Sequence, residues 1–227
     1  MLNKSKGNMY SWVGFTWNVI KGECPHQCSY CYCKRWGKQS PLHFDEKELR
    51  TNLGSGNTIF VGSSCDMWAN VSPDNRVMGR WIADTLNHCI WYEDGNKYLF
   101  QSKNPARFKG YSFPDDTILG TTIESNRYYP EISKAPAPLE RKLALHYLDS
   151  PLMISIEPIL DFDPDVMVKW IREITPKFVS IGADSGNNHL PEPSGEKVDA
   201  LIEALKEFTE VKIKDNLKRL TPTHKGE

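Results

Sequence analysis

The sequence contains no long hydrophobic run and no apolar segment near its start. Hydrophobic residues make up 39% of the 227 residues, yet no uninterrupted stretch approaches the ~20 apolar residues that cross a membrane. Residues 3–7 carry no apolar side chain, so nothing here resembles a secretory signal. We therefore expect a cytoplasmic protein with no membrane partner, in which the six cysteines stay reduced.

The sequence also lacks an excess of charge of either sign. Its 28 Lys and Arg residues nearly balance 29 Asp and Glu residues, which gives a net charge of −1. Proteins that bind a nucleic-acid polymer present a basic surface to the phosphates, so this balance favours a small-molecule substrate. Internal repeats, low-complexity tracts and linkers are lacking too, which predicts one domain over residues 1–220 and a polar tail over 221–227.

Short apolar runs alternate with amphipathic segments along the chain. The apolar runs predict strands, at residues 10–20, 58–61, 98–101, 117–123, 152–156, 178–181 and 210–214. Helices are predicted at 46–50, 139–148, 164–174 and 195–208, and another should begin at Ser72 with Pro73 in its first position. This alternation is typical of a parallel α/β fold. We predict an incomplete (β/α)6 barrel, with a doubly wound open sheet as the alternative.

Polar and charged side chains follow most of the predicted strands. They are Asp66, Lys103, Glu124, Arg127, Glu157, Asp184 and Lys214. Each of them alone is equally compatible with a cap, an ion pair or a solvated loop. Parallel α/β folds bind ligands at the carboxyl ends of their strands, so the recurrence of these residues there predicts a shared polar cavity.

Three of the cysteines, Cys24, Cys28 and Cys31, form a C-x3-C-x2-C motif directly after the first predicted strand. Cysteine thiolates hold iron–sulfur clusters, and three of them on a [4Fe-4S] cluster leave one iron open to a small chelating molecule. Zinc is the alternative, with His26 or Cys33 as the fourth ligand. The motif lacks the distant second ligand pair of most zinc sites, so the spacing favours the cluster.

The motif, with Tyr30 directly before its third cysteine, resembles the signature of the radical S-adenosylmethionine (SAM) superfamily. The resemblance implies that Cys24, Cys28 and Cys31 hold a [4Fe-4S] cluster, that the open iron binds SAM, and that Tyr30 lies beside the adenine. It also implies reductive cleavage of SAM to a 5′-deoxyadenosyl radical, with an electron donor such as flavodoxin or ferredoxin.

The same resemblance assigns roles by position. The other cofactor-binding residues would be Gly62, Ser63, Ser64, Asp66, Thr122 and Glu124. Glu157 and Asp184 would face the open middle of the cavity and take part in catalysis. The remaining thiols, Cys33, Cys65 and Cys89, are not expected to bind the cluster, and Cys89 should be a small core residue.

Several short blocks resemble a smaller branch of radical-SAM-like proteins, the phage-type Gp37/Gp68 family. They are residues 16–18, 60–63 with Asp66, 155–158, 181–186 and 214–217, in the family's order. The chain departs from that family in its compact cysteine loop and in Ala183 and Asp184, where relatives carry Gly-Glu. In size and layout it is similar to queuine lyases, which release a 7-deazaguanine base from a queuosine-type nucleoside or nucleotide.

The resemblance to queuine lyases implies roles for the substrate-facing residues. Glu157 or Asp184 would accept hydrogen bonds from the amidine edge of the base. Lys103 or Arg127 would hold a 5′-phosphate, with Lys214 as a further substrate contact. Two other functions stay open: a DNA-repair lyase related to spore photoproduct lyase, and an iron–sulfur electron carrier or redox sensor without SAM turnover.

Overall fold

Strands and helices alternate over most of the chain in the computed structural model, which describes residues 1–71 and 75–222. The strands are β1 (Asn3–Lys4), β2 (Phe15–Trp17), β3 (Ile20–Lys21), β4 (His43–Phe44), β5 (Thr58–Val61), β6 (Lys97–Ser102), β7 (Thr117–Thr122), β8 (Leu152–Ile156), β9 (Phe178–Ile181) and β10 (Glu210–Ile213). The helices are α1 (Asn75–Trp91), α2 (Pro138–Leu145), α3 (Pro164–Ile174) and α4 (Gly195–Lys206). The predicted helix start at Ser72 and Pro73 lies outside the described residues, as does the predicted tail beyond residue 222.

Eight strands form one sheet in the order β1-β2-β5-β6-β7-β8-β9-β10, while β3 and β4 pair separately. Strand β1 is antiparallel to β2, and all other neighbours in the large sheet are parallel. From β2 onward the strands follow one another in chain order. A doubly wound sheet reverses its order at a switch point, so this topology confirms the predicted partial barrel. Within residues 1–71 and 75–222, no ladder joins β10 to β1 or β2, and the barrel is incomplete.

The central strands are buried on both faces, because helices cover the outside of the sheet and side chains fill the barrel interior. Every residue of β8 and β9 is buried, which explains why their sequences are apolar except for Ser155 and Ser180 and do not alternate. Among the covering helices, α3 presents an apolar stripe that consists of Met167, Ile171 and Ile174. In the described part of the chain, no helix is long and apolar enough to cross a membrane.

The first predicted strand, residues 10–20, is mostly not a strand: only Phe15–Trp17 pairs in the large sheet. The amide of Val13 turns back to donate to the carbonyl of Tyr10 at 3.0 Å. Trp12 then packs edge-on against Phe178, with 5.3 Å between ring centroids. We call residues 9–13 the plug, because they fill the barrel interior at the amino ends of the strands. Tertiary packing of these aromatic side chains overrides their local preference for a strand.

The inner face of the sheet changes from apolar to polar along the strands. Beside the plug it is formed by Leu99, Met153 and Phe178. Successive inward-facing side chains on a strand lie two residues apart, so Leu99 is followed by Gln101 and Met153 by Ser155. The plug therefore closes one end of the barrel interior and leaves a polar cavity at the other.

Candidate active site

A cavity of about 410 Å³ lies at the carboxyl ends of the strands. Of the six cysteines, Cys24, Cys28, Cys31, Cys33 and Cys65 line it. So do most of the other residues singled out in the sequence, namely Tyr30, Gly62, Ser63, Ser64, Asp66, Lys103, Thr122, Glu157 and Lys214. Glu124, Arg127 and Asp184 do not line this cavity. Cys89 is fully buried in α1, which confirms its predicted place in the core.

The cysteine loop is fixed to the barrel through His26 and Asp66. The Nε2 atom of His26 lies 2.8 Å from Oδ2 of Asp66. The same carboxylate oxygen accepts from the hydroxyl of Ser102 at 3.0 Å and from the amide of Lys103 at 2.8 Å, at the end of β6. Burial opposes ionisation of Asp66, but these hydrogen bonds, His26 first, bring its pKa below the ordinary value. Asp66 was expected to help bind SAM, and the contacts that it makes position the loop.

The thiols of the loop fit a cluster better than a single ion. The zinc alternative needs His26 or Cys33, but His26 contacts Asp66 and the Cys33 thiol donates to the carbonyl of Ser64 at 3.2 Å. Among the described residues, no group of three or more His, Cys, Asp or Glu side chains is placed to hold one metal ion. A [4Fe-4S] cluster binds its thiolates on separate iron atoms. Three thiols spread along one cavity wall suit that arrangement.

Two of the three thiols have depressed pKa values. A hydrogen bond with Cys65 lowers the pKa of Cys24 to about 7, against the opposing effect of burial. A hydrogen bond with Cys33 lowers the pKa of Cys31 to about 6. Burial instead raises the pKa of Cys28, whose sulfur lies 3.2 Å from the Ser133 hydroxyl. Cys33 and Cys65 are thus neighbours of the motif's thiols, a proximity that their sequence positions do not reveal.

Glu124 lies at the centre of a buried ionic group with Tyr30, Lys103 and Arg141, which we call the Glu124 cluster. Its Oε1 accepts from the Tyr30 hydroxyl and from Nζ of Lys103, and its Oε2 accepts from Nη1 of Arg141 at 2.6 Å. Lys103 also donates to the Tyr30 hydroxyl at 2.6 Å. Glu124 was expected to bind the SAM ribose; its carboxylate is instead bonded to protein donors and fixes Tyr30 at the cavity wall.

Glu157, directly after β8, lines the cavity and binds residues from near both ends of the chain. Its Oε1 accepts from the side-chain amides of Asn8 at 2.6 Å and Asn216 at 3.3 Å. Its Oε2 accepts from Nζ of Lys214 at 2.8 Å, and Lys214 also donates to the carbonyl of Asn8. We call these four residues the Glu157 cluster. It joins the first segment of the chain to the end of β8 and to the residues after β10.

Arg127 and Asp184 are engaged elsewhere. Arg127 is ion-paired with Asp161 and, at 2.6 Å, with Asp163. The Asp184 carboxylate accepts from the amide of Gly186 at 2.9 Å and from the amide and side chain of Asn188 at 2.5 and 2.6 Å. The structure therefore gives Asp184 a turn-forming role and brings only its neighbours Ala183 and Ser185 to the cavity.

Several cavity residues carry no signal in the sequence. Lys6 and Asn8 line the cavity from the segment before the plug, Tyr10 lines it from the plug, and Arg35 and Gln101 line it from other elements. The Tyr10 hydroxyl donates to Gln101 at 2.8 Å, and the Gln101 amide donates to Thr122 at 3.0 Å. Arg35 donates to the carbonyl of Ser185 at 2.7 Å. Only Arg35, four residues after Cys31, lies near a recognisable motif.

Gly182 permits the Glu157 cluster to form, and its replacement by alanine should disturb that cluster. A Cβ atom at position 182 would lie 2.9 Å from both Oε1 of Glu157 and Oδ1 of Asn216. We expect Gly182→Ala to lower the free energy of unfolding by about 1–3 kcal/mol, as overpacking does, in a urea titration. Gly79→Ala in α1 is the control, because its Cβ would meet nothing closer than 3.4 Å. That change should raise stability by roughly 0.5–1 kcal/mol; equal stability of both variants would contradict the crowding at Gly182.

The comparisons with known proteins identify the fold. No protein-family model matches the chain, and no curated protein matches it. Among solved structures, it is similar to a mutant of spore photoproduct lyase, with a TM-score of 0.59 and 10% identity over 90% of this chain and 78% of that one. It is also similar to methylornithine synthase (PylB), with a TM-score of 0.51 and 11% identity over 86% of this chain and 63% of that one.

A third similar structure is Streptococcus suis SuiB bound to S-adenosylmethionine, with a TM-score of 0.53 and 7% identity. The match covers 87% of this chain and 49% of that one. The chain therefore spans about two thirds of the length of methylornithine synthase and about half that of SuiB. At these identities the likeness concerns the backbone, and the chain shares with all three proteins the incomplete α/β barrel that its sequence predicts.

Proposed function

We propose that the protein is a radical SAM enzyme that binds a [4Fe-4S] cluster at Cys24, Cys28 and Cys31. The observation that carries this proposal is that all three motif thiols line the cavity at the carboxyl ends of the partial barrel. The fold adds support, since SuiB has the same fold and was solved with SAM bound. When bound here, the cluster supplies the electron that cleaves SAM to methionine and a 5′-deoxyadenosyl radical, which takes a hydrogen atom from the substrate.

The turn after β5 is the proposed site for the methionine part of SAM. The amide of Gly62 donates to the carbonyl of Trp17 at 2.9 Å, and the Asn18 side chain accepts from the amide of Ser64 at 2.9 Å. Gly62 has φ +80°, a conformation that favours glycine. These bonds hold the backbone and the hydroxyls of Ser63 and Ser64 against the cavity, where small polar groups of a ligand have hydrogen-bond partners.

For the substrate, we propose a 7-deazaguanine nucleoside or nucleotide from which the enzyme releases the base. Glu157 faces the cavity and already accepts from the side-chain NH2 group of Asn8 at 2.6 Å. An exocyclic amine is the same kind of donor, so the amidine edge of the base would take the place of Asn8. The ion pair with Lys214, at 2.8 Å, fixes the position of the Glu157 carboxylate. The cavity volume lies within the ~300–1,000 Å³ typical of small-molecule sites.

A phosphate of a nucleotide is better served by Lys6 and Arg35 than by Lys103 and Arg127. The latter two are ion-paired with Glu124 and with Asp161 and Asp163. Lys6 and Arg35 line the cavity, and neither is ion-paired with a carboxylate in the described part of the chain. Asn8 and Arg35 both contact Ser185, so the two cations lie on segments that meet at one corner of the cavity. We propose that this corner holds the anionic group of the substrate.

The substrate proposal is tested with anaerobic, cluster-loaded protein. A queuosine-type nucleotide should stimulate 5′-deoxyadenosine formation and release free base, as measured by liquid chromatography with mass spectrometry. In Glu157→Gln an NH2 group replaces one acceptor oxygen, and base release should fall about ten- to a hundredfold in kcat/KM, the value of a hydrogen bond to a charged group. Glu207→Gln, a change at an exposed ion pair with Arg172 away from the cavity, should leave the rate unchanged.

Different results would contradict the substrate proposal and the radical SAM proposal. If SAM is cleaved but no deazaguanine nucleoside or nucleotide releases its base, the substrate proposal fails and the radical SAM proposal stands. A dinucleotide carrying the spore photoproduct is included in the same screen. Its repair would assign the chain to the alternative DNA-repair activity.

A further inference from the structure

We infer that the 3₁₀ helix directly after the cysteine loop is the docking surface for an acidic protein that carries one electron at a time. The inference rests on the proposed function, which needs one electron for each SAM molecule cleaved. The helix spans Tyr32–Trp36 and starts at Cys31, its N-cap. The amide of Lys34 donates to the carbonyl of Cys31 at 3.0 Å. A protein bound on this helix would therefore lie one short segment of backbone away from the proposed cluster, and electron transfer slows steeply with distance.

The exposed face of this helix has the composition of a protein interface. Trp36 is 63% exposed and Tyr32 44% exposed, and their rings pack edge to face with centroids 5.4 Å apart. Exposed aromatic residues beside cations are typical centres of protein–protein interfaces. The Nζ atom of Lys34 donates to the carbonyl of Ser29 at 3.3 Å. Neither Lys34 nor Lys38 forms an ion pair with any carboxylate in residues 1–71 and 75–222. Arg35, between them, turns to Ser185 and the cavity.

The surroundings keep this surface positive. Two backbone hydrogen bonds hold neighbouring segments beside the cysteine loop. The amide of Glu23 donates to the carbonyl of Ser40 at 2.9 Å, and the amide of Lys134 donates to the carbonyl of His26 at 2.8 Å. These segments contribute one cation, Lys134, and two acids, Glu23 and Glu131. Together with Lys34, Arg35 and Lys38, the cations of the region outnumber the acids. The chain as a whole has a net charge of −1. A local positive surface on a slightly negative protein attracts an acidic partner to this place and speeds the encounter.

The reaction at this surface is a single electron transfer. The reduced carrier, for instance flavodoxin hydroquinone, loses one electron and leaves as the semiquinone. The cluster-loaded protein gains that electron, and no proton or group is exchanged between the two proteins.

The experiment compares a protein reductant with a small one. The double variant Lys34→Glu with Lys38→Glu, and separately Trp36→Ala, are loaded with the cluster and supplied with SAM. With reduced flavodoxin at low salt, we expect 5′-deoxyadenosine formation to slow about tenfold or more, since charges at an interface mainly set the association rate. With dithionite, which needs no docking surface, the rates should equal that of the wild type. High salt should slow the flavodoxin-driven reaction of the wild type and bring its rate close to that of the variants.

A matched control and a binding measurement complete the test. The double variant Lys169→Glu with Lys218→Glu reverses two exposed charges that are far from the cysteine loop in the sequence. It should leave the flavodoxin-driven and the dithionite-driven rates unchanged. Calorimetric titration with oxidised flavodoxin should show binding to the wild type and to this control, and much weaker binding to the Lys34 and Lys38 variant. Equal flavodoxin-driven rates in both double variants, or an equal loss with dithionite, would overturn the docking surface. A wild type that cleaves no SAM even with dithionite would overturn the proposed function itself.

Discussion

Replacing Cys24, Cys28 or Cys31 with alanine will remove iron from the protein and abolish SAM cleavage. Each thiol would bind a separate iron of the cluster, and a cubane that has lost one of three protein ligands is poorly retained. Wild-type protein reconstituted without oxygen should hold about four irons per chain. Each alanine variant should lose most of this iron and its visible absorbance, and should form no 5′-deoxyadenosine.

The control is Cys89→Ala, which changes a thiol in the core of α1 and should keep the full iron content. Cys33→Ala and Cys65→Ala are the sharper comparisons, because both thiols line the same cavity. We expect both variants to retain the cluster. Iron loss on removing either thiol would change the ligand assignment, and stoichiometric zinc in an active wild type would refute the cluster.

The change Glu124→Ala will be among the most destabilising single substitutions in this protein. It leaves Lys103 and Arg141 without their carboxylate, and the side chains of Glu124 and Arg141 are only 6% and 4% exposed. Removing one partner of a buried ion pair costs about 3–5 kcal/mol, because the other charge stays buried. Urea titration of the free energy of unfolding measures this loss. SAM affinity should fall too, since Tyr30 loses the contact that fixes it at the cavity wall.

An exposed ion pair provides the control for Glu124. Glu203→Ala breaks its contact with Lys206 on the surface of α4 and should change stability by less than about 1 kcal/mol. If Glu124→Ala were equally mild, the Glu124 cluster would not be a buried ionic group in solution.

Acid should weaken the Glu124 cluster in a predictable direction. Burial alone would raise the pKa of Glu124, but Arg141 and Lys103 hold it well below the ordinary value. A carboxyl whose folded-state pKa is depressed contributes stability above its unfolded pKa of ~4.3, and that stability is lost as the pH falls below it. The stability gap between wild type and Glu124→Gln should therefore be largest near neutral pH and narrow from about pH 5 towards pH 2. A gap that widens in acid would contradict this assignment.

Local sequence was sufficient for elements whose environment is uniform. Thr58–Val61, Leu152–Ile156 and Phe178–Ile181 are strands at the predicted residues. The last two are buried along their whole length, and strands buried on both faces are rich in apolar residues throughout. Residues 10–13, in the plug, also belong to a predicted strand, yet they turn into the barrel interior. Their partner Phe178 is far away in the sequence, so no local pattern distinguishes the plug from a strand.

The candidate site shows the same contrast between local patterns and contacts that are distant in the sequence. The cysteine motif is a local spacing, and it could be read directly. The neighbours of Glu157 could not be, because Asn8 lies 149 residues before it and Lys214 lies 57 residues after it. Asp184 shows a different difficulty, since its carboxylate bonds to its own turn at Gly186 and Asn188. Asp followed by Ser, Gly and Asn is a usual turn sequence, and this signal favoured the structural role.

The contact between Lys214 and the carbonyl of Asn8 spans 206 residues, and it sets the order in which a newly made chain completes its cavity. Synthesis proceeds from the amino end, so all residues of the cysteine motif and of the Glu124 cluster have been made once Arg141 is added. Lys214 and Asn216 emerge among the last residues. The residues of the proposed cluster site are therefore all made before the Glu157 cluster is complete.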